Sequence, residues 1–350
     1  MCTNLPEGTT SLLEVARTLK ILEQNGWKPK RNIVFTSWSG EEYGLLGSTA
    51  YAELRAEDTM PNVVAYLNVD CAVAGNATFN VSATHSLTTM IRQAAERVPA
   101  PPLPHASNSQ ANRTMASVWD GVVGTLGSGS DYTVFLDRFG IASLDMSYRG
   151  SYGVYHSVYD SFSWMEQQGD PTFEIHQAMA RVWALMAFRL ASTGILPIYM
   201  TPQAEQMKKD IQYLSKSIEE KFGSQVNMTR LDQAAKLFSD AAKAIDEERQ
   251  LYESSSPHDL SVADINRRLY MAERAFLGPG LPRRPWFRHL LQAPGFYLGY
   301  GSQAFPGIAS ALLDGDVDVA NSQVQIAAKA VSNAATFLET KGEKKGVTQE

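Results

Sequence analysis

The run VVAYLNVD at 63–70 limits the fold more than any other stretch, because it is almost unbroken in apolar residues and ends on a carboxylate. A strand without polar alternation has no face to give to water, so it belongs in a sheet covered by helices on both sides. The flanking patterns agree. Residues 9–25 keep Leu12, Val15, Ala16, Leu19 and Leu22 on one helical face, with Thr9, Thr10 and Ser11 as candidate caps and Gly26 as a stop. NIVFTSW (32–38) reads as a second strand followed by a helix over about 44–56, NATFNVSA (76–83) as a third strand, and 86–98 as a helix. A Pro-rich stretch opens a loop reaching about 118, GSGSDYTVFLDRFGIASLDMSY (127–148) reads as loop, helix and strand, and a long helix spans about 170–193. Helices alternating with buried strands predict an α/β fold, an α/β/α sandwich over residues 1–196.

Beyond ILPIYM the texture changes. Residues 203–278 carry helical periodicity with mixed charge, GPGLPRRPW interrupts it, and an Ala-rich helix covers 318–341. A boundary at 196–202 therefore separates the sandwich from an all-α region over 200–345. Leu214, Ile218, Leu237, Ala241, Ile245, Leu269, Ala272 and Phe276 recur at spacings near three and four, a wider apolar supply than one packed face needs. That surplus predicts a symmetric homodimer through the helices. A self-contained bundle that buries all of it is the competing reading.

Charge excludes one class of partner. With 31 basic and 37 acidic residues the net charge is −6, and no basic footprint for nucleic acid is present. Cys2 and Cys71 are the two cysteines, too few for a disulfide framework or a Cys-based zinc motif, so any metal would be held by His and carboxylates. No apolar run is long enough to form a membrane segment, and the first residues do not read as a leader. Four sequons, at Asn76, Asn80, Asn112 and Asn227, would suit a secretory-pathway, lumenal or extracellular protein whose address and anchor lie outside this chain.

Three features end or follow strands: the adjacent Glu41 and Glu42, Asp70, and His156 in the loop YGVYHSVYDS (152–161). In open α/β sheets ligands collect at the carboxyl ends of parallel strands. Adjacent carboxylates become useful there when one holds a metal and its neighbour takes a proton from the water the metal activates. Zinc would accept Glu42, Asp70 and His156 as ligands, with Glu41 as base. A solvated Glu-Glu turn and a capping Asp explain the same residues without chemistry, and His85, His105, His176, His258 and His289 compete with His156.

In order and spacing, NIVFTSWSGEEYGLLGSTAYAE, YLNVDCAVAGN, GSGSDYTVFLDRFGIAS and YGVYHSVYDS resemble the zinc-dependent exopeptidases of the glutamate carboxypeptidase II and transferrin receptor family. RPWFRHLLQAPGFYLGYGSQAFPGIASALLD (284–314) is similar to that family's helical dimerisation domain. The resemblance implies two zinc ions, a peptide substrate, Glu41 as general base, Glu42 and His156 on one zinc and Asp70 on the other. It also implies Tyr155 as hydrogen-bond donor to the tetrahedral intermediate, and Ser128, Gly129, Ser130 and Tyr300 at the substrate.

Departures accompany the likeness. The family's upstream His ligand and bridging Asp have no counterpart in this chain, which implies impaired hydrolysis, or a non-catalytic, receptor-like homologue as the alternative. Where glutamate-preferring members place Lys-Tyr the chain has Gly299-Tyr300, and where they place two Arg it has Asp145 and Ser147. Neutral or apolar substrate residues are expected in place of acidic ones.

Overall fold

The computed structural model describes residues 7–102, 113–254 and 259–339. Its first half is built on a mixed sheet in the order β1 (Ala65–Asn68), β5 (Ala142–Arg149), β3 (Thr78–Ala83), β4 (Val123–Gly124), with β2 (Val73–Ala74) also paired to β5. β1 and β2 run parallel to β5, whereas β3 runs antiparallel to it. As the central strand, β5 is buried along nearly its whole length, in keeping with its apolar composition.

Helices α1 (Glu7–Gln24) and α5 (Glu174–Ser192) pack together on one face of this sheet, and α3 (Thr88–Arg97) joins α5 there. Across the sheet, α2 (Leu46–Leu54) and a π-helical turn over 134–138 close a smaller core around Ala52, Met60, Val134, Phe135 and Ile141. α1 meets β1 so closely that a Cβ on Gly8 would run into the Val69 carbonyl oxygen and lie 2.6 Å from that of Asp70. The short helix α4 (Phe162–Trp164) follows the His156 loop, its first turn capped by the Ser161 hydroxyl.

One sequence expectation fails here. Residues 32–38 form no strand: among the described residues their backbone enters no ladder and makes no backbone hydrogen bond, and Val34 stays 70% exposed. Apolar, β-branched composition suits a strand, but a strand exists through its partners. Among the described residues β1 pairs with β5 alone, so its opposite edge has no ladder partner there.

The second half is helical: α6 (Met200–Phe222), α7 (Thr229–Ser254), α8 (Asp259–Met271), α9 (Pro306–Asp314) and α10 (Val317–Glu339), with a hairpin of β6 (Gln292–Pro294) and β7 (Ser302–Ala304). Asp246 of α7 accepts the Met200 and Thr201 amides, satisfying the first turn of α6 from a neighbouring helix. Packing does not pause at the boundary, since one core runs from Met90, Leu144 and Met179 through Met207 and Ile211 to Phe238, Phe276 and Val331.

The apolar residues expected to supply a dimer face go elsewhere. Leu214, Ile218, Ala241, Ile245, Leu269, Ala272 and Phe276 are at most 5% exposed within the single chain, and Leu237 alone of that group is open, at 56%. The bundle consumes the surplus because α7 packs against both α6 and α10. Two expectations, the loop residues 103–112 with Asn112 and the last turn of the helix past 339, lie outside the described residues. Cys71, just past β1, is disulfide-bonded, a bond not foreseen from two cysteines.

Candidate active site

The carboxyl end of β1 and the turn after 32–38 bring the carboxylates together. Residues 41–45 form a tight turn in which Glu41 accepts the Gly44 and Leu45 amides through its backbone carbonyl, which fixes the pair Glu41-Glu42 ahead of α2. Glu42 Oε2 lies 3.5 Å from His156 Nε2, across 114 residues of sequence. His156 adopts a left-handed backbone, φ 57°, and its ring stacks on Tyr155 at 3.9 Å between centroids. A left-handed non-glycine residue is uncommon and here turns the imidazole toward the Glu pair.

Glu41 is half-buried. Burial first, then the carboxylates of Asp70 and Asp131, push it up to about 7. Asp131 is raised to about 6 by burial and by Asp70, against a hydrogen bond from Ser48. Asp145, inside the sheet on β5, is raised to about 7 mainly by burial, although Asn68 Nδ2 donates to it at 2.8 Å. Tyr155 is raised too, by burial and by Asp70, Tyr300 and Glu41, so its hydroxyl keeps its proton at neutral pH. Asp131 was not singled out in the sequence, and Asp145 was noted only as standing where glutamate-preferring members place an Arg. GSGSD holds Asp131 one residue past Ser130, but only the fold shows that both acids interact with Asp70, Asp145 from β5 beside β1 and Asp131 from the loop ahead of the 134–138 turn.

The histidines divide by environment. His85 is buried and lowered to about 4 by desolvation, His176 pairs with Asp170 at 2.8 Å, and buried His289 pairs with Glu273 at 2.9 Å. His105 and His258 lie outside the described residues. His156, 45% exposed at its side chain, faces Glu42.

Loop 127–130 lies against the helical half. Tyr300 carbonyl oxygen accepts the Ser128 amide at 3.1 Å, and a Cβ on Gly127 would collide with that same oxygen. The Gly129 amide donates to Tyr132 Oη at 3.0 Å. Ser130 is 2% exposed, its hydroxyl accepts from Asn68 Nδ2 at 3.0 Å, and it lines the cleft that Glu41, Asp70 and Asp131 also line. The Tyr300 side chain stands open, 75% exposed.

Zinc in a catalytic site takes three protein ligands and keeps a fourth position for water. Among the described residues no set of three His, Cys, Asp or Glu side chains is close enough to hold one ion. Glu42 and His156 make a pair, and Asp70 interacts with the carboxylates of Glu41 and Asp131. As described, the donors do not fit a complete zinc site.

Comparison with known proteins places this site in a lineage. Residues 7–179 match peptidase family M28, and residues 226–339 match the transferrin receptor-like dimerisation domain. The chain is 41% identical over 312 residues to "Probable glutamate carboxypeptidase LAMP1" of Arabidopsis thaliana, covering 87% of this chain and 44% of that protein. To "Probable glutamate carboxypeptidase" of Arthroderma benhamiae it is 35% identical over 342 residues, covering 95% and 46%. To "Aminopeptidase NAALADL1" of Mus musculus it is 34% identical over 322 residues, covering 87% and 43%. The chain thus spans a little under half the length of these relatives. An M28 domain followed by this helical domain, with the Glu pair and His156 meeting at the carboxyl end of the sheet, makes the chain a member of the glutamate carboxypeptidase II and transferrin receptor family.

Proposed function

We propose that the site serves metal-assisted hydrolysis of terminal peptide bonds, with Glu41 as the base, and that residues 1–350 perform it weakly. The observation that carries this reading is the contact of Glu42 with His156 beside a carboxylate poised near neutrality. A base is most effective when its pKa lies near the working pH, because it is then ionised yet still holds a proton well. Glu41 would accept the proton of the attacking water, and the protonated hydroxyl of Tyr155 would donate to the oxyanion that forms on the carbonyl. The donor set stops at the Glu42 and His156 pair, so no step is derived through zinc.

Substrate preference follows from the rim. Gly299 presents no side chain, and Tyr43, Tyr159 and Tyr300 are all exposed near the cleft or on the loops bordering it. A buried Asp145 with a raised pKa offers no positive charge for an acidic substrate residue. Neutral or apolar residues are the preferred neighbours of the cleaved bond, with Tyr300 free to hydrogen-bond a terminal carboxylate. The homodimer belongs to this proposal as well, resting on the family of residues 226–339 and on open Tyr213, Leu237 and Leu251.

The test is hydrolysis of Ala-Leu and Ala-Glu dipeptides by the purified chain with added zinc. The expected result is slow turnover of Ala-Leu that falls at least about tenfold in Glu41→Gln, a loss of about 1.4 kcal/mol in transition-state stabilisation. Equal rates in both proteins favour the second reading, a receptor-like or interaction homologue, which the short donor set would suit.

A further inference from the structure

Where the two halves meet, three arginines gather around too little negative charge. Arg189 lies on α5, Arg97 ends α3, and Arg249 belongs to α7 of the helical half, and the charges of Arg97 and Arg249 both act on Arg189. One carboxylate, Glu253, acts on Arg189 in return. It is already engaged, since its two oxygens accept from Arg249 at 2.7 and 3.3 Å. Asp246, one turn earlier on α7, is taken up by the Met200 and Thr201 amides.

Arg189 is half-buried, and its Nη2 donates to the neutral Gln93 side chain at 2.6 Å. Its Nη1 is enclosed and has no acceptor among the described residues. Arg249 is 2% exposed, its guanidinium lies 3.7 Å from the centre of the Tyr199 ring, and its Nε is enclosed and unmet in the same way. An enclosed guanidinium N–H without an acceptor is costly, and like charges beside it add to the cost. Burial first, and then Arg97 and Arg249, hold Arg189 below the usual guanidinium range, against the opposing pull of Tyr199 and Glu253. Solutes can reach the cluster, because Arg97 and Glu253 are exposed and Tyr199 is half-buried. None of these residues lines the cleft that holds Glu41.

We infer that the junction of α3, α5 and α7 binds one doubly charged oxyanion, phosphate or sulfate, either free or as the end group of a monoester. Charge sets the valence. Three guanidinium groups acting together with Glu253 leave two positive charges, which a dianion neutralises and a carboxylate does not. The donors set the class, since Nη1 of Arg189 and Nε of Arg249 come from different helices and guanidinium groups suit phosphate-like oxygens. Position sets the consequence. Arg97 and Arg189 stand on one half and Arg249 on the other, so the anion would tie the halves together beside Tyr199, whose amide donates to the Ser86 carbonyl at 2.9 Å.

The probe is inorganic phosphate, titrated by calorimetry into the full chain at constant ionic strength, with sulfate, methyl phosphate and acetate in parallel. Phosphate and sulfate should each fill one site with a dissociation constant below about 1 mM. Acetate should bind at least about tenfold more weakly. Methyl phosphate that matches inorganic phosphate would assign the site to a monoester, and methyl phosphate that fails to bind would assign it to the free ion. Arg189→Gln should weaken phosphate at least about tenfold, and Arg97→Gln, at an exposed position and so compatible with folding, about threefold or more. Lys216→Gln, 80% exposed on α6, should change nothing. Phosphate should also raise the melting temperature of the parent above its value in chloride of equal ionic strength, and raise that of Arg189→Gln less. The inference is overturned by absence of saturation up to about 1 mM phosphate, by affinity that survives both arginine substitutions, or by acetate binding as tightly as phosphate.

Discussion

The two halves of this chain differ in how they complete their hydrogen bonds and cores. In the helical half the long helices make their repeating backbone hydrogen bonds within themselves, and α7 finds its main packing partners in α6 and α10 of the same stretch of sequence. α7 lies between α6 and α10, and Phe238 meets Phe276 edge-on at 5.4 Å. In the peptidase half the sheet depends on lateral partners, and where 32–38 has none, apolar side chains such as Val34 and Phe35 face water. The difference teaches that helices are locally self-sufficient, whereas a strand is defined by what lies beside it.

The largest expected effect sharpens that contrast. Phe276→Ala removes a fully buried ring and should cost about 3–5 kcal/mol in denaturant unfolding, while Val34→Ala, at an equally apolar but open position, should cost less than about 0.5 kcal/mol. Comparable costs at the two sites would mean that 32–38 is packed in solution and that the halves do not differ as described.

Next comes the buried polar network of the helical half. Arg268, 2% exposed, donates to Glu248 at 3.0 Å, to Asp264 at 2.9 Å and to the Leu338 carbonyl at 2.9 Å. Arg268→Ala leaves these acceptors partly unpaired and should cost about 3 kcal/mol by the same measurement. A loss under about 1 kcal/mol would show that water replaces the guanidinium, and that this half is more open than its packing indicates.

Where the halves touch, Gly127→Ala should cost about 1–3 kcal/mol, because the new methyl must displace the backbone around Tyr300. Its expected signature is faster amide exchange at Ser128, whose hydrogen bond to Tyr300 closes the contact. Unchanged exchange would mean that loop 127–130 and the helical half are not held together there.

The smallest effect is electrostatic and belongs to the open half. Glu41 is raised from 4.5 to about 7, and Asp131 and Asp145 from 3.8 to about 6 and about 7, so the folded state binds more protons than the unfolded chain between about pH 4 and 7. Stability therefore falls as pH rises through that window and levels off above about 7. Glu41→Gln removes one contributor and should flatten the slope of melting temperature against pH, modestly because solvent screens a half-exposed group. An unchanged slope would place the cost elsewhere among the three acids.

Legibility in the sequence followed the same division. Helical periodicity located α1, α5 and α10 to within a few residues and marked 203–278 as helical without dividing it into α6, α7 and α8, and VVAYLNVD identified the strand that ends at the site. Composition misled at 32–38, since nothing in NIVFTSW reports whether a neighbour is present. It also misled at Leu214, Ile245 and Phe276, where periodicity shows that a face is apolar but not whether the chain itself covers it. Glu41, Glu42 and His156 were readable as motifs, while the raised pKa values of Asp131 and Asp145 became visible only in the fold, because a raised pKa is a property of surroundings.

The central claim is that the described residues offer a metal no more than the pair of Glu42 and His156. Calorimetric titration of the purified chain with zinc tests it most directly, in parallel with His156→Ala and Glu42→Gln. The account predicts one weak site with a dissociation constant above about 10 µM, worth less than about 7 kcal/mol, and lost in either variant. Sub-micromolar binding of one or two ions that survives His156→Ala would contradict it, by showing a donor set that does not include this pair.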